Sequence, residues 1–114
     1  MEKNTRITMK QYTTPEQTAK LIELGFEKPK SVVEGALYSD TYFAYSIGEL
    51  IEMLDSIPNN MWNFIKTSDR IVKVEMYIFP KTQSETYYYD VCYRKELVDA
   101  LFVITVKLKE TGVI

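Results

Sequence analysis

The chain has 114 residues, 46% hydrophobic and 26% charged, with a formal net charge of -2, the composition of one globular domain with enough apolar material for a single core. It has no histidine and one cysteine; this removes the commonest general acid/base and the ligands of Cys/His zinc sites, and with them the usual serine and cysteine triads. The near-neutral charge matches neither the basic excess of a nucleic-acid binder nor the acidic excess of a DNA mimic.

Residues 1–13 are polar and charged and are expected to form a flexible N-terminal arm, leaving 14–114 as a single domain. Thr14-Pro15-Glu16-Gln17 then opens the first helix. The Thr14 hydroxyl can accept from the backbone N–H of Gln17, the Gln17 side chain can reach back to the N–H of Thr14, and Pro15 sits where a missing N–H costs nothing. Gly25 marks the end, with Phe26 placed to fold back on the last turn. Val32 to Tyr38 and Thr41 to Tyr45 read as two short strands around a turn at Ser39-Asp40, with Gly35 interrupting the first. Ser46 and Glu49 form a second capping box, and Ile47, Leu50, Ile51 and Leu54 follow at helical spacing.

Met61 to Ile65 shows no regular period and reads as a short turn of helix or an irregular packed segment. From Ile71 to Phe79 the residues Val72, Val74, Met76 and Ile78 alternate with Lys73, Glu75 and Tyr77, the pattern of a strand with one buried face. Thr86 to Tyr93 completes a hairpin with it, setting Tyr87, Tyr89, Val91 and Tyr93 on one side. The last helix runs from about Lys95 to Glu110 and is closed by Gly112. Its apolar stripe is Leu97, Leu101, Ile104 and Leu108; Val103 and Val106 fall outside it, so this helix is either nearly surrounded or meets another chain. The expected fold is α+β, with three helices packed on one face of a roughly four-stranded, mainly antiparallel sheet.

The candidate chemistry is sparse. Cys92 stands near Arg94 and Lys95 but has no base beside it, and a free cysteine is more often simply buried. Tyr87, Tyr89 and Tyr93 with Arg94 and Lys95 could stack the bases and hold the phosphates of a single-stranded nucleic acid, against which stands the lack of a basic stripe. Glu49, Glu52 and Asp55 could share a divalent ion only by converging, and such groups are usually a solvated helix face. The four glycines are scattered, so there is no phosphate-binding loop. No catalytic, metal or cofactor residue is therefore assigned, and the chain reads as a non-enzyme. Met61-Trp62 and the tyrosines could form a protein-binding patch, since Trp, Tyr and Met are enriched at interface centres; with the off-stripe valines, the candidate interaction surface is Trp62, Tyr87, Tyr89, Tyr93, Val103 and Val106. The expected partner is a protein, a second copy of the chain included, with nucleic acid disfavoured.

There is no signal-like N-terminal run, nor any apolar stretch near the about eighteen residues of a membrane span, so no membrane contact and a cytoplasmic location are expected. The lone thiol suits a reducing compartment. The segments Tyr12 to Phe26, Phe43 to Leu54, Glu96 to Leu101 and Lys107 to Ile114 resemble the small uncharacterised proteins carried by prophages and mobile elements of gut anaerobic bacteria. That resemblance implies an accessory protein of mobile-element origin, with no established activity and no catalytic residue to transfer.

Overall fold

The structure, a computed structural model, describes residues 10–34, 41–67, 69–80 and 88–114. The elements run α1 (Pro15–Glu23), β1 (Ser31–Glu34), β2 (Thr41–Ala44), α2 (Ile47–Asp55), β3 (Asn60–Lys66), β4 (Val72–Ile78), β5 (Tyr88–Arg94) and α3 (Leu97–Glu110). The class is α+β, as the patterning predicts. In place of one roughly four-stranded sheet, the described strands form two antiparallel sheets, a β1–β2 ribbon and a three-stranded meander ordered β3-β4-β5. The first expected strand is seen only from Ser31 to Glu34; residues 35–40, with the expected turn, lie outside the described residues, as do 1–9 and 81–87.

Both capping boxes are complete. Thr14 Oγ1 accepts from Gln17 N at 3.1 Å while Gln17 Oε1 accepts from Thr14 N at 2.9 Å. Ser46 and Glu49 repeat the arrangement at 3.1 and 3.0 Å. α1 ends in a Schellman motif, in which Phe26 N donates to Leu21 O and Gly25 N to Ile22 O, with Gly25 at φ +101°. α3 ends the same way, through Val113 N to Leu108 O and Gly112 N to Lys109 O, with Gly112 at φ +81°. Both glycines take a left-handed conformation that a Cβ penalises.

Residues 10–13, assigned to the arm from sequence, are tied into the domain. Thr13 N donates to Tyr45 O, Ile47 N to Gln11 O, and Tyr12 bridges Ser46. The Thr13 side chain is fully buried and starts a hydroxyl relay. Tyr45 N donates to Thr13 Oγ1 at 3.0 Å, the Thr13 and Thr18 hydroxyls stand 2.7 Å apart, and Thr18 Oγ1 donates to Thr14 O at 2.8 Å. With the Thr18 proton committed to Thr14 O, the proton between the two hydroxyls belongs to Thr13.

β3 is the element that the sequence pattern concealed. Its register with β4 pairs Trp62 with Met76 and Phe64 with Val74, and so alternates Trp62 and Phe64 on the inner face with Met61 and Ile65 on the outer. Each face of this edge strand carries two large apolar residues, so no period of two survives in the sequence.

The core joins the inner face of the meander, Val72, Val74, Met76 and Cys92, to Leu50 and Leu54 of α2 and to Leu97, Val98, Leu101, Ile104 and Leu108 of α3. α3 lies against β4, β5 and α2 at once. Hence Ala100 and Thr105 are also buried, and Phe102, Val103 and Val106 pack partly buried against the core. α3 is nearly surrounded by its own chain. Among the described residues no helix is long and apolar enough to cross a membrane.

Candidate interaction surfaces

The outer face of the meander follows from its register. Three rows cross it, Met61–Tyr77–Tyr89, Asn63–Glu75–Val91 and Ile65–Lys73–Tyr93. α3, with the core it shares with α2, packs on the opposite face, and at the four corners Met61, Ile65, Tyr89 and Tyr93 remain 50, 52, 45 and 53% exposed. An exposed apolar residue standing alone is ordinary, but several on one sheet face form a patch of the kind that marks interaction sites.

The centre of this face is polar and internally balanced. Lys73 Nζ stands 3.7 Å from Glu75 Oε2, which accepts from the Tyr77 and Tyr89 hydroxyls at 3.0 and 3.2 Å. The Tyr77 hydroxyl leads in holding the Glu75 carboxyl below the usual carboxylate range; slight burial opposes it, and Tyr89 and Lys73 add to it. The Tyr77 and Tyr89 rings tilt against each other with centroids 5.0 Å apart. The face thus pairs a neutral, hydrogen-bonded middle with apolar corners.

The six residues singled out from sequence divide among different places. Tyr89 and Tyr93 stand on the outer face. Trp62 is on the inner face, partly buried, its indole N–H donating to Asp55 Oδ1 at 2.7 Å and its ring stacked on Phe64 with centroids 6.3 Å apart. Val103 and Val106 face the core, and Tyr87 lies outside the described residues. Met61, expected beside Trp62 in the patch, joins Tyr89 and Tyr93 on the outer face, and Ile65 is the member that sequence reasoning missed; recognising β3 as a strand would have placed both by alternation alone. The tyrosines and Arg94 do not form one platform, because Arg94 shares a row with Lys66 and Val72 on the inner face.

Other candidates are occupied. Glu49 accepts from Ser31 Oγ at 2.7 Å and from Lys30 N at 2.9 Å besides its capping bond, and Asp55 holds the Trp62 indole. Among the described residues no group of acids, cysteine or histidine could hold a metal ion. Cys92 is buried, and burial pushes its thiol up against the weaker pull of Arg94 and Lys107, which leaves it a poor nucleophile.

A cavity of about 680 Å³ opens at the end of the inner face, beside the β3–β4 turn and the start of α3. Phe64, Val72 and Leu97 give it apolar walls, and Lys66, Arg70 and Lys95 supply cations. Arg70 is brought there by a tight turn in which Arg70 N donates to Thr67 O and Thr67 N to Ile71 O.

Comparison with protein-family models, with curated proteins and with solved structures finds no significant match to this chain.

Proposed function

We propose that the chain is a non-catalytic, cytoplasmic protein-interaction module, of the accessory kind that phages and mobile elements carry, and that it associates with a second copy of itself through the outer face of the meander. The observation that carries this reading is the pairing of half-exposed Met61, Ile65, Tyr89 and Tyr93 with a charge-balanced centre on one sheet face. Lys73 and Glu75 compensate one another, so the face has no net charge and an identical face meets it without like-charge repulsion. Burying the four corners on association then gains hydrophobic free energy at about 25 cal/mol per Å². A two-fold arrangement satisfies both copies with the same patch.

Sedimentation equilibrium across a concentration series tests it. The expected result is a reversible monomer–dimer equilibrium that Ile65→Glu combined with Tyr93→Glu, which flank Lys73 in one row with opposite charge, shifts to monomer. Because both side chains are already half exposed, the variant should keep its thermal stability to within about 0.5 kcal/mol per site. A chain that stays monomeric at millimolar concentration, or a dimer indifferent to the two substitutions, overturns the proposal.

A further inference from the structure

We propose that the cavity beneath the start of α3 is a binding site for a small organic anion that joins a flat apolar ring to a phosphate or carboxylate group. The site lies on the opposite side of the sheet from the self-association face and does not depend on it. Its volume, about 680 Å³, falls in the range of small-molecule pockets, about 300–1,000 Å³.

The lining sets two requirements on the occupant. Val72, Leu97 and the Phe64 ring, 49% exposed, give the cavity its apolar lining. An apolar surface of this kind gains from a ring stacked on Phe64 and gains nothing from a bare hydrated anion. The rim imposes the second requirement. Lys66, Arg70 and Lys95 make no ion pair among the described residues, whereas Lys10, Lys20, Lys73 and Lys107 are all paired to carboxylates. Two acids also line the cavity, Asp69 and Glu96, and Glu96 Oε1 already accepts from Lys10 N at 3.0 Å. Three cations against two carboxylates leave the rim positive, and Arg94, in the row Lys66–Val72–Arg94, adds to the field. A neutral hydrophobe leaves those cations unused, and an inorganic anion leaves the Phe64 wall unused. A ring bearing an anionic group uses both, with the guanidinium of Arg70 able to take two oxygens at once.

Amide chemical-shift titration of the full chain with phenyl phosphate tests the site, with inorganic phosphate and benzyl alcohol as the two half-ligands. The expected result is saturable shifts centred on Phe64, Val72 and Leu97, with phenyl phosphate at least about tenfold tighter than either half-ligand. Lys66→Glu with Lys95→Glu should weaken it by about tenfold or more, while Lys28→Glu with Lys30→Glu, the same change in net charge away from the cavity, leaves it unchanged. The spectra themselves report that each variant is folded. Equal binding of phosphate and phenyl phosphate, equal loss in both double variants, or shifts centred elsewhere each overturn the proposal. So does binding of an acidic aromatic peptide without phenyl phosphate. Loss of the dimer in the sedimentation test leaves this result untouched.

Discussion

The side-chain amide of Gln17 donates to Oδ1 of Asp99 at 2.9 Å, joining two residues 82 positions apart. Gln17 is also the closing member of the Thr14 capping box, so one side chain ends a helix with its oxygen and ties that helix to α3 with its nitrogen. Glu49 does the same in α2. Its carboxylate closes the Ser46 box and also holds Lys30 N and Ser31 Oγ at the base of the β1–β2 ribbon. In both helices a local capping rule has been extended into a tertiary contact.

Replacing Gln17 by Glu separates the two tasks. A glutamate closes a capping box as well as a glutamine does, but it puts a second carboxylate beside Asp99, which also pairs with Lys10 Nζ at 2.8 Å. The expected loss is about 1 kcal/mol in denaturant unfolding at neutral pH. Combining Gln17→Glu with Asp99→Asn should give a coupling of about 0.5 kcal/mol or more, whereas additive effects would show that the amide makes no productive contact.

Acid should loosen the ribbon and the α1–α3 tie together. Burial pushes the Glu49 carboxyl up, but hydrogen bonds from Ser31, Lys30 and Ser46 outweigh it and hold the group below the usual range. Asp99 behaves alike, burial being outweighed by Lys10 and Gln17. A carboxyl whose folded pKa is depressed contributes stability above its unfolded value, about 4, and loses it as pH falls through the folded value. The melting temperature should therefore drop on acidification below about pH 4 to 5. Glu49→Gln should be about 1 kcal/mol less stable at pH 7 and show a shallower acid limb. An unchanged acid limb would show that Glu49 titrates alike in both states.

The parts of the fold legible in the sequence are those fixed by contacts close in the chain. Thr14 and Gln17, Ser46 and Glu49, Gly25 and Gly112 each act within one helical turn, and the alternation of Val72, Val74 and Met76 needs only a single wet face. β3 escaped because Met61 and Ile65 are as apolar as Trp62 and Phe64. The division into two sheets depends on α2 intervening between β2 and β3, and no local signal states whether two hairpins will share an edge. The surfaces follow the same division. Tyr89 and Tyr93 were readable from the period of β5, while Met61 and Ile65 join them only through β3. The cavity needs Phe64, Arg70, Lys95 and Leu97 from three segments at once, a juxtaposition that only the folded topology creates.

The buried threonines give a direct measure of one unmade hydrogen bond. Thr13→Val keeps the volume of a fully buried side chain and removes the oxygen that accepts from Tyr45 N. It also takes away the donor to the Thr18 hydroxyl. A buried donor left without a partner costs about 1 to 3 kcal/mol, and calorimetric or denaturant unfolding should report that loss. Thr18→Val should cost less, since Tyr45 N keeps its acceptor in that variant and only the Thr13 proton is stranded. Equal costs would mean that the two hydroxyls are solvated from outside.

Arg70 offers a place where stability and binding should move in opposite directions. It sits at φ +62°, in the left-handed region that costs a residue with a Cβ about 1 kcal/mol or more. Arg70→Gly relieves that cost but gives back part of the gain, because glycine loses more conformational freedom on folding. The net expectation is a stabilisation of about 0.5 kcal/mol, or a few degrees in melting temperature. Arg70→Ala keeps the strained backbone and should not stabilise. Both substitutions remove one of the three rim cations of the cavity, so both should weaken phenyl phosphate binding to a similar extent. If the glycine variant alone lost affinity, the turn's rigidity, and not the guanidinium, would be what the ligand needs.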